Sequence, residues 1–380
     1  MDTVKLFYEN AYIRRFSAAV LACEPCKDGF SVVLDRTAFF PEEGGQTADT
    51  GYLGAARVTD VRESGGLVRH MTDAPLAPGS TVTGVLDWGE RFRKMQNHTG
   101  EHIISGIIHR RFGFENVGFH LGADGCTVDF DGELSRAQLD ETEDAANAVV
   151  WDDRAVTTLF PAPEELPGIE YRSKLALTEN VRLVVIEGID ICACCAPHVS
   201  RTGEVGIVKI LDFMRHRGGT RLTLRCGADA LADYRARYEA TARLSALLNV
   251  PQGDVAPAAE KLMAQRDALK FRLTGLEKQA LEARAAALQA TEGDLLLFAE
   301  ADDAGLRLLA NAGMEKCGGI CAVFSGSDGD YRFVMASRTR DMCSFVKEQR
   351  EPLSLRGGGQ ERMVSGRCGA DRNTLETFFT

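Results

Sequence analysis

His98-Thr99-Gly100-Glu101-His102 sets two imidazoles four residues apart. On a helix, residues four apart share one face, with Cβ atoms about 5–6 Å from each other. Both rings can then reach one metal ion. Far downstream, Cys192-Ala193-Cys194-Cys195-Ala196-Pro197-His198 offers a second pair at a strand-to-turn transition. Cys194 and His198 would complete a tetrahedral set with His98 and His102. His109 lies farther along the same stripe, about 10 Å beyond His102 at ~1.5 Å per residue. It reads as a packing or polar contact and not as a ligand. Two arrangements stay open for the other thiols. Cys23 and Cys26 could join Cys192 and Cys195 in a separate four-thiolate site, or Cys192 and Cys195 are simply buried behind the ligands. A third feature is Arg36-Thr37-Ala38-Phe39-Phe40-Pro41-Glu42-Glu43-Gly44-Gly45-Gln46, after a predicted strand. Its glycines permit close backbone approach to a ligand, and Thr37 and Gln46 bring a hydroxyl and an amide to one corner.

The elements that position these groups read as a mixed α+β chain. Residues 3–88 carry short apolar runs, Ala18–Ala22 and Ser31–Leu34 among them, with turn residues between; a turn is expected at 24–29. Regular short strands of this kind suggest a small N-terminal β-barrel. A helix at 92–112 carries Ile103, Ile104, Ile107, Ile108 and Phe112 at helical spacing, and a second is expected at 136–151. Strands surround both, at 115–131 and 180–226. From Asp229 to about Ala290 the chain is rich in Ala, Leu, Glu, Lys and Arg. It is broken at Asn249–Asp254, where Asp254 could cap the next helix. Val255, Leu262, Leu269 and Leu276 recur every seven residues, half a coiled-coil seam, so a helical hairpin able to form a homodimer is expected. Residues 293–380 read as a last α/β unit containing Gly357-Gly358-Gly359. The expected division is 1–88, 89–228, 229–292 and 293–380.

The chain has 380 residues, 44% hydrophobic and 26% charged, a globular balance. No apolar run approaches the ~18 residues that span a bilayer. Met1–Lys5 lacks the basic start and apolar run of a secretory signal, so a cytoplasmic location is expected. The eleven cysteines, an odd count, argue against a disulfide framework. A net charge of −11 excludes a generally cationic nucleic-acid coat. Local basic patches remain. Arg91, Arg93, Lys94, Arg110 and Arg111 lie within 89–111, and Arg215, Arg217, Arg221 and Arg225 within 212–225.

Together these motifs resemble the alanyl-tRNA editing family, the AlaX proteins and the editing domain of alanyl-tRNA synthetase. The matching stretches are Thr37 to Gln46 with Asp49-Thr50-Gly51, Asn97 to His102, Cys194 to Val199 with Thr202 to Gly206, and residues 217–227. The resemblance extends through the helical stretch to Gly357–Gly359, similar to a glycine-rich DHH-associated domain, as in the long form of AlaX. The sequence departs from the family at Cys195-Ala196-Pro197, where Gly-Gly-Thr is usual, and at Glu43, where a first glycine is usual. The resemblance implies a zinc-binding α/β editing domain and hydrolysis, in trans, of tRNA(Ala) wrongly charged with serine or glycine. Zn2+ would be held by His98, His102, Cys194 and His198. Thr37 and Gln46 would read the serine hydroxyl. Arg93, Lys94, Arg215, Arg217 and Arg221 would hold the acceptor end through phosphates. A complete alanyl-tRNA synthetase is not expected in 380 residues that start at the editing region.

Two rivals belong to other classes. His98-Thr99-Gly100-Glu101-His102 also fits H-x-x-E-H, the inverted zinc-protease motif, with Glu101 as general base. A non-catalytic RNA-binding protein with a structural zinc would suit a closed four-ligand site.

Overall fold

The computed structural model describes residues 2–122, 125–173 and 181–379. Met1–Thr241 forms one compact unit and Ala242–Thr380 another. The class is mixed α+β.

In the first unit, six antiparallel strands close into a barrel in the order Arg15–Cys26, Gly29–Leu34, Leu67–Thr72, Ala56–Ser64, Gly51–Leu53, Thr81–Leu86. Alternate residues point inward, so Phe16, Ala18 and Val20 from the first strand meet Val32, Leu34, Val58, Val61 and Val68 in one core. The expected turn at 24–29 narrows to Lys27 and Asp28, because Cys26 pairs with Gly29 and extends the hairpin.

His70 and Thr37 sit in this barrel core, both fully buried. The Nδ1 of His70 faces the Val32 carbonyl at 3.1 Å and must donate. Its Nε2 is then an acceptor, and the Thr37 hydroxyl donates to it at 2.8 Å. Burial pushes the His70 imidazole down to about 4, whereas an unfolded histidine titrates near 6.5. The unfolded chain therefore takes up the proton first. The stability His70 protects is complete above about pH 6.5 and falls as pH drops towards 4, by up to roughly 3 kcal/mol. Urea titrations should show that slope in the wild type and a flatter one in His70→Gln.

The central helix, Trp88–Phe112, packs against a four-stranded sheet, Val208–His216, Gly219–Cys226, Gly125–Phe130, Asn116–Gly122. It begins four residues earlier than expected, and sixteen of its residues are buried. Ile103, Ile104 and Ile108 pack with Val128, Leu222 and Leu224. The helix stops at Gly113, whose left-handed backbone returns its N–H to the His109 carbonyl. Helix Arg136–Trp151 lies on the same core and starts with a capping box between Ser135 and Gln138. A three-stranded sheet, Val156–Leu159, Leu183–Ile186, Asp190–Ala193, completes the unit.

One buried ion pair ties the central helix to the loop that carries Gln46. Arg91, 1% exposed, donates Nε and Nη2 to Asp49 Oδ2 and Nη1 to the Ala11 carbonyl. Asp49 Oδ2 also accepts the Phe40 N–H at 2.7 Å. Arg91→Met strands a buried carboxylate and should lower unfolding free energy by about 3–5 kcal/mol. The double variant Arg91→Met/Asp49→Asn removes that charge yet keeps an acceptor for Phe40. Chemical denaturation should show it recovering more than half of the loss.

The second unit holds helix Val255–Ala286 and a five-stranded sheet, Leu295–Phe298, Ile320–Ser327, Asp330–Ser337, Met363–Cys368, Leu355–Gln360. The first pair is parallel, with helix Asp303–Met314 crossing between. Ala285 and Leu281, at the end of the long helix, pack with Leu306, Leu309 and Ala310. Asp254 occupies the N-cap position, but its side chain makes no capping hydrogen bond. Leu262, Leu269, Leu273 and Leu276 are each more than half exposed. Gly357–Gly359 lie in the edge strand of the sheet. No helix among the described residues is long and apolar enough to cross a membrane.

Candidate metal centre

Four donors converge where the central helix meets hairpin Leu183–Ala193. One ligand atom each from His98, His102, Cys194 and His198 lie mutually within 4.8 Å. Helix spacing brings the first two together. The hairpin brings the others, and it docks closely because Gly106 has no side chain: a Cβ there would stand 2.6 Å from the Ile189 carbonyl oxygen. The Sγ of Cys194 lies 3.5 Å from His98 Nε2 and 3.4 Å from His198 Nε2. A tetrahedral ion with Zn–S of ~2.3 Å and Zn–N of ~2.05 Å places sulfur and nitrogen about 3.5 Å apart, so the donor set fits zinc.

Every imidazole is oriented from behind. The Nδ1 of His98 donates to Gln46 Oε1 at 2.8 Å, and that of His102 to Asp190 Oδ2 at 3.1 Å. The Nδ1 of His198 meets Thr99 Oγ1 at 3.0 Å. Anchoring Nδ1 fixes the tautomer and leaves each Nε2 lone pair for an ion. Asp190 is in turn gripped by Arg172 through Nε at 2.8 Å and Nη2 at 2.9 Å. Burial would push the Cys194 thiol up, but the imidazoles of His98, His102 and His198 bring it well below the usual thiol range. Burial and the neighbouring His102 push His198 down to about 3. Burial pulls the His102 imidazole down, but Cys192, Asp190 and Cys194 hold it well above the usual imidazole range, so metal binding there would release its proton.

His98, His102 and Cys194 line a cavity of about 760 Å³, within the range of small-ligand sites. Glu101 is on its wall, 3% exposed. Ser105 Oγ and Asn116 Nδ2 both donate to Glu101 Oε1, and Oε2 has no protein partner among the described residues.

Other expected site residues are placed differently. Thr37 is in the barrel core and not on the cavity wall; its hydroxyl is engaged by His70 and by the Phe39 N–H. Gln46 is fully buried and is the partner of His98. Lys94 is 4% exposed, with Nζ on the carbonyls of Thr47 and Ala48. Arg93 is 13% exposed and paired with Asp229 and Glu90. Neither offers a free surface cation, because the helix face that carries them packs inward. Arg221 is chelated by Asp129 at 2.6 and 2.7 Å. Arg215 and Arg217 are exposed where the strands 208–216 and 219–226 turn, Arg215 against Glu133. His109 Nδ1 lies 2.9 Å from Glu115. Cys23 and Cys26 belong to the first barrel strand and enter no metal-capable group among the described residues. Asp190, Thr99 and Arg172 were not foreseen. Asp190 had a signal, since Asp190, Cys192 and Cys194 alternate as one face of a strand does.

The family described as threonyl and alanyl tRNA synthetase second additional domain matches residues 181–223. That of class II (A) tRNA synthetases matches residues 9–90. An alanine–tRNA ligase of Halorubrum lacusprofundi is 32% identical over 363 residues, 88% of this chain and 38% of the relative. One from Natronomonas pharaonis is 33% identical over 88% of this chain and 38% of its own length. One from Pyrobaculum neutrophilum is 29% identical over 98% of this chain and 44% of its own. The chain thus spans less than half of the length of each of these relatives.

Proposed function

The chain is related to alanine–tRNA ligases over most of its own length, and from that kinship we propose that it hydrolyses the ester of tRNA(Ala) wrongly charged with serine, and with glycine, acting in trans as an AlaX-type editing enzyme. The observation that carries this reading is the convergence of His98, His102, Cys194 and His198 beside a cavity with room for an aminoacyl nucleoside. Zinc, held by these four residues, would supply Lewis-acid polarisation at the reacting ester where one ligand yields or the coordination expands.

The protein's own residues do the rest. Gln46, Asp190 and Thr99 hold the three imidazoles in register. Glu101, fixed through Oε1 by Ser105 and Asn116, offers Oε2 to take a proton from the attacking water. Arg215 and Arg217 provide exposed positive charge for tRNA phosphates, which makes affinity fall with salt. The kinship to tRNA ligases favours the ester over the peptide.

The test is multiple-turnover deacylation of Ser-, Gly- and Ala-tRNA(Ala) beside zinc quantification. Turnover of the mischarged species, loss of it with a chelator, and sparing of Ala-tRNA(Ala) are expected. Absence of turnover by zinc-loaded protein would leave a non-catalytic RNA-binding role.

A further inference from the structure

Arg182 is a cationic residue of the cavity wall whose charge the mechanism leaves unused. It is 8% exposed and has no carboxylate partner among the described residues. The contrast with Arg172 on the same wall is sharp, since Asp190 neutralises that guanidinium. Arg182 Nη1 donates to the Cys194 carbonyl at 2.7 Å and to the Ala196 carbonyl at 2.9 Å. Its Nε is sealed without any partner. Its Nη2 has no protein partner among the described residues, and it is not among the sealed atoms. The ring of Tyr8, also on the cavity wall, lies 5.5 Å from the guanidinium.

A buried guanidinium without a counter-charge is unfavourable by several kcal/mol. Neutral carbonyls and the nearby Cys194 sulfur relieve part of that, and an anion would relieve more. The wall also carries the carboxylates Glu43, Glu101 and Glu115, so among its described residues the position that favours an anion is the one at Arg182, which has no carboxylate partner. The two carbonyls and the Tyr8 ring fix the guanidinium in place, so little side-chain entropy is lost when it receives a ligand.

We propose that Arg182 and Tyr8 form an anion subsite in the metal-centre cavity that takes a phosphodiester, the one preceding the terminal nucleoside of the substrate. The subsite deepens the deacylation reading and rests on it. Arg182 acts in binding and registers the 3′ end so that the ester reaches the metal side of the cavity.

Two arms test it. The first is steady-state deacylation of Ser-tRNA(Ala) against the same tRNA with a neutral methylphosphonate at its last internucleotide linkage. In the wild type the neutral linkage should raise KM about 10- to 100-fold, the worth of a charge-assisted hydrogen bond, with kcat unchanged. Arg182→Gln should show the high KM on both substrates, and Arg182→Lys should recover part of the difference. The proposal is overturned by a wild type indifferent to the neutral linkage, by an Arg182→Gln as sensitive as the wild type, or by a fall in kcat with KM unchanged, which would place the guanidinium at the ester. Zinc content is measured for each variant. If Arg182→Gln loses zinc through its grip on the Cys194 loop, the wild-type and Arg182→Lys measurements decide. The second arm is calorimetric binding of adenosine 5′-monophosphate and adenosine. The monophosphate should bind the wild type at least about 10-fold more tightly, and equal affinities overturn the subsite. This arm needs no turnover, so failure of the subsite and failure of the deacylation reading are told apart.

Discussion

Cys194→Ala should lose its metal and, with it, deacylation. Structural zinc binding is worth about 10–16 kcal/mol, so an even share for one of four ligands is roughly 2.5–4 kcal/mol, a loss of ~10²–10³-fold in affinity. The thiolate is also the donor whose sulfur stands against two imidazoles at 3.4 and 3.5 Å. Competition with a chromophoric chelator should show the affinity loss directly. Deacylation of Ser-tRNA(Ala) should fall in proportion to the zinc retained, and excess zinc should restore part of it. A variant that keeps full zinc and full activity would remove Cys194 from the centre. The packing around the site is carried by Ile103, Ile104, Leu121 and Val128, so the variant should remain folded.

Glu101→Gln should behave differently. It preserves shape, and its carbonyl can still accept from Ser105 and Asn116. Zinc content should therefore stay at the wild-type level while kcat falls. General acid–base catalysis contributes about 10²–10⁴-fold, so a fall within that span is expected with KM little changed. Full activity in Glu101→Gln would show that water is activated without this carboxylate. The two variants separate the roles, since one removes the metal and the other leaves it idle.

The two pairs of converging donors were legible because each is local. His98 and His102 announce themselves by helical spacing, Cys194 and His198 by bracketing a turn. Their meeting was legible only through the motifs taken together. What holds them was not. Gln46 reaches His98 across fifty-two positions and Asp190 reaches His102 across eighty-eight, and no local pattern encodes such contacts. The basic stretch misled for a related reason. Arg91, Arg93 and Lys94 look like a charged face, but the central helix is packed on nearly every side, so these cations bond to carboxylates and carbonyls inside. Thr37 belongs to a glycine-bearing segment whose far end reaches the centre while its near end stays in the barrel. The helical stretch was the clearest of all. Its composition sets it apart, and Leu262, Leu269 and Leu276 stand exposed along it.

The distance along the chain between the two ligand pairs has a consequence for biosynthesis. Cys194 follows His98 by ninety-six residues. At translation speeds of ~5–20 residues per second, the helical histidines wait roughly 5–20 s before the sulfur leaves the ribosome. During that interval the nascent polypeptide holds only two of the four converging donors, so an ion held by all four would be bound after residue 198 has emerged.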